Sequence, residues 1–340
     1  MPINSLATAT IFMRKLDELA VREAATGWME QNAGQVIYNG GATVKIPKLT
    51  VQGLGEYDRD NGYAQGSVGL TYETLSLTQD RGRKFHLDAM DVDETNFVAT
   101  AGNVMAEFQR SYVLPEIDAY RISKIATYAI TGFPDTDKKG TVEYGYTPGA
   151  ANTSALRKFK EGIKAIREAG YNGQLACLAT DAFLMELELE LAGQLRTVTW
   201  SQGGINTMVP AVDGVPIKTV PSNRMYTSIT LYDGKTAGTS GTSGQSATPD
   251  QKGGGYVKAS GAMDINFEIM PMSTPIAISK QDIIRIFNPE IHQDLNAWRI
   301  DYRRFHDLWV LENKCNGLFV NVKDANPAGG SGASGGSGTS

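Results

Sequence analysis

Before residue 90 the apolar positions of this chain alternate with polar ones, and after residue 95 they recur at helical spacing. From Leu6 to Ala33 neither period dominates: Ile11, Phe12, Leu16, Leu19 and Trp28 are anchors without a continuous stripe, as in an arm that needs a partner surface. From Ala42 to Val51 the alternation predicts a half-exposed strand, and Pro47 argues against a central, fully paired one. A second alternating run covers Val68 to Leu77 and continues beyond Arg81-Gly82 as Lys84 to Leu87. Between the two runs, Gly53 to Tyr63 is charged and rich in turn formers. The pattern predicts a long two-stranded hairpin with a polar tip, which is marginal alone in water and must lie on something else.

Helical spacing follows. Phe97, Ala101, Met105, Phe108 and Tyr112 line one face, and Asp91 with Glu94 has the form of a capping box for the free N–H groups at its start. Pro115 either kinks this helix or opens a second one, with Ile117, Tyr120, Ile125 and Tyr128 on its packed side. A further helix from Ser154 to Ala169 turns Leu156, Phe159, Ile163 and Ile166 inward and Arg157, Lys158, Lys160 and Lys164 outward, stopping at Gly170. Gln174 to Thr180 reads as a buried strand and Asp181 to Leu191 as a short helix, after which short apolar strands continue to Leu311. Gly234 to Gly255 is a low-complexity surface loop, and the Gly-Ser run from Ala328 to Ser340 a flexible tail.

Composition narrows the function. Hydrophobic residues at 41% and charged residues at 20% are ordinary for a packed globular chain. The net charge of −5 offers no global basic field for nucleic acid. Two cysteines, Cys177 and Cys315, point to reduced thiols instead of a disulfide framework. No export signal and no apolar run long enough for a membrane helix is read.

Candidate chemistry is sparse. Asp88, Asp91, Asp93 and Glu94 form the densest acidic group, open to a metal-dependent hydrolase reading, but without the glycine and terminal glutamate of a calcium loop they fit helix capping better. The tip segment Asp58 to Gly62 also falls short of a calcium loop and reads as a solvated or intersubunit charge cluster. His86, His292 and His306 stand in no ligand spacing, and no phosphate loop, dinucleotide fingerprint or nucleophile elbow occurs. The aromatic and basic run Trp298 to His306 could stack on nucleic acid, yet its interleaved Asp301 and Asp307 suit a paired, half-buried strand. Neither a catalytic set nor a cofactor site is expected.

Several segments, in order, resemble the major capsid proteins of tailed bacteriophages with the Hong Kong 97-like fold. These are Thr78 to Phe85 running into Asp88 to Thr95, Glu107 to Arg110, Pro115 to Arg121, Pro216 to Pro221, and Phe305 to Val310 with Lys314 and Gly317. The resemblance implies an α+β fold: an N-terminal arm (1–41), an extended β-hairpin loop (42–88), a peripheral domain on a long spine helix (89–150), and a mixed α/β axial domain with returning peripheral strands (151–327). It implies a shell of hexamers and pentamers around double-stranded DNA, assembled in a host cytoplasm with a separate scaffolding protein and a portal. An encapsulin-type compartment is the nearest alternative. Glu56, Tyr57, Asp58, Arg59, Asp60 and Tyr63 are the expected interface residues, and Asp91, Glu94, Phe97, Met105 and Phe108 the cap and core of the spine helix.

Overall fold

A computed structural model of the chain describes residues 24–36, 43–60, 62–63, 65–88, 101–133, 138–151, 153–192, 195–202, 205–239, 249–287 and 297–327. The early alternating runs are strands β1 (Thr43–Val51), β2 (Val68–Ser76) and β3 (Gln79–Asp88). Helices α1 (Ala101–Phe108) and α2 (Leu114–Thr131) follow, joined by a π-helical turn, and then β4 (Thr141–Glu143), α3 (Ala155–Glu168), β5 (Leu175–Ala179) and α4 (Asp181–Glu190). The remainder is strands: β6 (Arg196–Gln202), β7 (Ile205–Val212), β8 (Val215–Thr219), β9 (Ile229–Leu231), β10 (Tyr256–Lys258), β11 (Ile265–Pro271), β12 (Pro275–Phe287), β13 (Ala297–Val310) and β14 (Phe319–Val322). The chain divides into two units, one of residues 1–29, 91–275 and 309–340, the other of residues 30–90 and 276–308.

The larger unit is built on a seven-stranded sheet in the order β4-β14-β11-β5-β8-β7-β6. Strands β5 and β11 are buried at every position; β5 reads as a continuous apolar run, whereas β11 alternates Ile265, Phe267 and Ile269 with the buried Asn266 and Glu268. One face of the sheet carries α3 and α4, whose Phe159, Ile166, Phe183 and Leu187 interlock with Cys177, Ile217, Phe267, Ile269 and Phe319. The Phe183 and Phe267 rings stack 4.3 Å apart. Helix α3 approaches the sheet at Gly162, where a Cβ would come within 2.9 Å of the Phe319 ring. Ser154, where the periodic run begins, caps α3 through the Arg157 N–H, and Gly170 ends it at φ +95° as expected. Glu190 at the end of α4 adds a second cap, accepting from the Leu156 N–H at 2.9 Å and the Ser154 hydroxyl at 2.8 Å.

At the predicted break Pro115 stands in the first turn of α2, which follows the π turn without leaving helical backbone. The helix runs from Ala101 to Thr131, and residues 109–113 widen into a π turn closed by the Leu114 N–H donating to the Gln109 carbonyl. A wide turn just before the proline gives its ring room that a regular α turn denies it. The extra residue also shifts the buried stripe, which passes through Met105, Gln109, Leu114, Ile117, Ile122, Ile125 and Ala129. The sequence reading carried the packed face on through Phe108 and Tyr112. Phe108 is instead half-buried and Tyr112 exposed, their rings stacked at 6.0 Å. Asp91, Asp93, Glu94 and Phe97 lie outside the described residues.

Asp118 is fully buried on this helix and accepts four hydrogen bonds: from the Ala25 and Thr26 N–H groups, the Thr26 hydroxyl and the Arg224 guanidinium. Arg121, one turn on, donates to the Thr26 carbonyl. Trp28 meets Trp200 edge to face at 5.7 Å, and Gln202 donates to the Ala24 carbonyl. For residues 24–29, therefore, the partner surface the arm requires belongs to the chain itself.

Two predictions follow from this packing. Met105→Ala lowers the unfolding free energy of the unassembled subunit by about 2–5 kcal/mol, the range for a buried methionine, and Phe108→Ala lowers it less. A larger loss at Phe108 would return the buried stripe to the sequence-predicted face. The second concerns Glu268 on β11, fully buried with neither carboxyl oxygen hydrogen-bonded among the described residues. Burial pushes its pKa well above the ordinary carboxylate range. The native state then keeps a proton that the unfolded chain releases, so stability falls as pH rises from the ordinary carboxyl pKa towards the raised one, by at most about 1.4 kcal/mol per pH unit. Chemical denaturation of Glu268→Gln across pH 5–8 should show this component of the slope removed; parallel curves for both proteins would contradict it.

Candidate functional site

Among the described residues no cluster of histidine, cysteine or carboxylate side chains could hold a metal ion, and no helix is long and apolar enough to cross a membrane. Cys177 and Cys315 are buried and unbridged; burial raises the Cys177 pKa well above the ordinary thiol value and that of Cys315 to about 11. Neither is a thiolate near neutral pH, so neither is an activated nucleophile.

The feature that stands out in the smaller unit is the hairpin. Strands β1 and β2 pair antiparallel from Thr43 opposite Ser76 to Val51 opposite Val68. Directly opposed residues share a face of a two-stranded ribbon, which places Leu49, Val51, Val68, Leu70 and Tyr72 together on one side. Their exposures lie between 53% and 72%, so this apolar face is uncovered. On the opposite side the outer positions are Thr50, Gly69 and Thr71, while Val44 and Ile46, nearer the base, are buried. The pairing extends to Gln52 and Ser67, whose N–H groups donate to the Ser67 carbonyl and the Gln52 side chain respectively.

Beyond the ribbon the chain makes a small closed tip. Asp58 and Gly62 exchange backbone hydrogen bonds of 3.1 and 2.8 Å, the Asp60 N–H donates to the Asp58 carboxylate, and Gly62 supplies the positive φ of +83°. The rings of Tyr57 and Tyr63 lie against each other at 4.9 Å, both mainly in solvent. Glu56, Arg59 and Asp60 are exposed around them. The six residues selected from sequence are thus gathered in one solvent-facing tip. What sequence reasoning missed is the apolar stem below it. Its signal was present in the alternation of Leu49 with Val51 and of Val68, Leu70 and Tyr72, but an alternating apolar face is ordinarily read as the buried one.

Magnitudes rank the two parts. Burying one large aliphatic or aromatic side chain is worth roughly 1.5–3 kcal/mol, whereas an exposed ion pair gives about 0–1 kcal/mol. Five apolar side chains on one face outweigh the charges at the tip.

The base of the hairpin is fixed to a second sheet. The expectation of one hairpin reaching Leu87 does not hold: β1 pairs only to Ser76, and from Gln79 the same strand turns to β13, pairing for ten residues from Gln79 opposite His306 to Asp88 opposite Ala297. The physical reason is the buried carboxylate of Asp307, which accepts from the N–H and hydroxyl of Thr78, at 3.0 and 2.8 Å, where the partner changes. Opposite Arg303 stands Gly82, where a Cβ would approach the Tyr302 carbonyl to 2.7 Å. The half-buried Arg304 binds Asp282, Glu30 and Ser279, locking β13 to its neighbours. Residues 298–306 therefore form a paired, half-buried strand, as the interleaved acids suggested, with their cations already engaged at Arg303–Asp80 and Arg299–Asp301.

No family model and no curated protein matches the sequence. Solved structures do match. One from Mycobacterium phage Che8 superposes with a TM-score of 0.51 at 14% identity, covering 83% of this chain and 84% of that one. The asymmetric unit of the bacteriophage PhiM1 mature capsid gives 0.51 at 9% identity over 84% and 83%. A structure from Mycobacterium phage Ogopogo gives 0.50 at 12% identity over 87% and 91%. The chain has the mixed α+β Hong Kong 97-like fold of phage capsid subunits, with its long helix.

The anchor at the hairpin base is testable by comparing two acids. Asp307→Ala leaves the Thr78 donors without their buried acceptor and should cost roughly 3 kcal/mol or more, since each hydrogen bond to a charged group contributes about 1.5–3 kcal/mol. Asp80→Ala breaks only an exposed pair and should leave the denaturation midpoint unchanged. Equal midpoints for the two variants would show that the base is held elsewhere.

Proposed function

We propose that the chain is the major capsid protein of a tailed bacteriophage, a non-enzymatic subunit that assembles with copies of itself, as hexamers and pentamers, into an icosahedral shell around double-stranded DNA. The observation that carries this reading is the uncovered apolar face of the hairpin stem, held on a rigid base and presented by a chain with the capsid fold. One subunit cannot bury that face; a neighbour can. The net charge of −5 suits a container that must not adhere to the nucleic acid it encloses. In this reading the β1–β2 hairpin is the extended loop, the helix from Ala101 to Thr131 the spine of the peripheral domain, and the seven-stranded sheet the axial domain. A separate scaffolding protein and a portal complete the assembly, and the particle is the virion capsid.

Replacing Leu54 to Gln65 by a short glycine-containing turn should leave a folded subunit whose closure into shells is weakened, and Val68→Asp with Leu70→Asp should abolish closure. Circular dichroism reports folding; sedimentation and electron microscopy report assembly. Normal closed particles from the stem variant would overturn the assignment, and native particles devoid of double-stranded DNA would overturn the identity of the cargo.

A further inference from the structure

Helices α3 and α4 lie side by side on one face of the seven-stranded sheet, and their outer surfaces differ in kind. Helix α3 turns Arg157, Lys160, Glu161, Lys164 and Glu168 outward, joined by i,i+4 pairs such as Arg157–Glu161 at 3.0 Å. That is a mixed-charge surface, tied together by pairs between neighbouring turns. Helix α4 places Phe183 and Leu187 in the core, yet carries a second apolar pair on its outer side, Met185 and Leu189, one turn apart and 54% and 67% exposed. A helix that is apolar on opposite faces is built to be covered on both. The rim of this second face is entirely acidic, with Asp181 and Glu188 exposed and no lysine or arginine in the helix.

We infer that the outer face of α4 docks on a second copy of this chain, against the basic outer row of that copy's α3. The chemistry matches at each level. The long methylene stems of Arg157, Lys160 and Lys164 can cover Met185 and Leu189, while their heads reach Asp181 and Glu188. The pairs those cations would leave are exposed, and such pairs are weak, so little opposes the exchange. Each copy carries both halves of the contact, which lets it propagate from subunit to subunit. The inference rests on the self-assembly reading, but it lies in the larger unit and uses none of the hairpin residues.

Charge reversal separates this contact from every other. Met185→Lys with Glu188→Lys, and in a second protein Lys160→Glu with Lys164→Glu, should each keep the parent's circular dichroism and melting while raising the protein concentration needed for assembly about tenfold or more. Combining all four substitutions in one chain should restore assembly, because the reversed α4 then meets a reversed α3. Leu189→Ser serves as a milder variant should the α4 reversal unfold, with the same expected loss. Parent-like assembly of the α4 variants overturns the inference and leaves the hairpin reading intact. Loss without recovery in the combined chain overturns α3 as the occupant. A parent protein that forms no particles overturns the self-assembly reading and this contact with it.

Discussion

A two-stranded ribbon has no second layer in which to hide an apolar face, and this constraint governs the rest of the molecule. Leu49, Val51, Val68, Leu70 and Tyr72 cannot be covered by β1 and β2 themselves, so the ribbon is stable only as an extension of something rigid. The rigid part is the β12-β13-β3 sheet, entered at Thr78, where a single strand exchanges one partner for another. Without the buried Asp307 carboxylate that exchange would lose the acceptor that holds the Thr78 N–H and hydroxyl. The exposed stem and the buried acid are two ends of one arrangement: the acid fixes the direction in which the apolar face is offered.

Buried charge serves the same purpose elsewhere. Asp118 holds residues 25 and 26 to the long helix, and Arg304 joins β13 to β12 and to Glu30. In each case a segment distant in sequence is tied by hydrogen bonds to a charged side chain, which offset part of the cost of taking charge out of water. Glu268 has no such hydrogen bonds among the described residues, and burial pushes its pKa well above the ordinary carboxylate range.

The agreement in fold with phage capsid subunits at 9–14% identity has a physical basis. Packing constrains the period of apolar positions and the places where a chain must turn, and it leaves the choice of side chain wide. The alternation of β2, the stripe of the long helix and the continuous apolar run of β5 are constraints of that kind. They survive substitutions that erase recognisable sequence likeness.

The sequence by itself determined what depends on neighbours along the chain. The start of α3 near Ser154 and its stop at Gly170, the buried run of β5, the polar turn at the hairpin tip and the paired character of residues 298–306 were all legible, because each follows from local spacing and turn chemistry. Tertiary structure alone decided what depends on a partner far away. Whether the alternating face of the stem is buried or exposed rests on what lies beyond it, and no pattern within the strand encodes that. The strand starting at Gln79 left the hairpin because Asp307, 229 positions from Thr78, captures it. Tyr112 fell off the packed face because one wide turn accommodating Pro115 moved every later side chain around the helix. Period is a local property, whereas burial, register and phase are set by the rest of the fold.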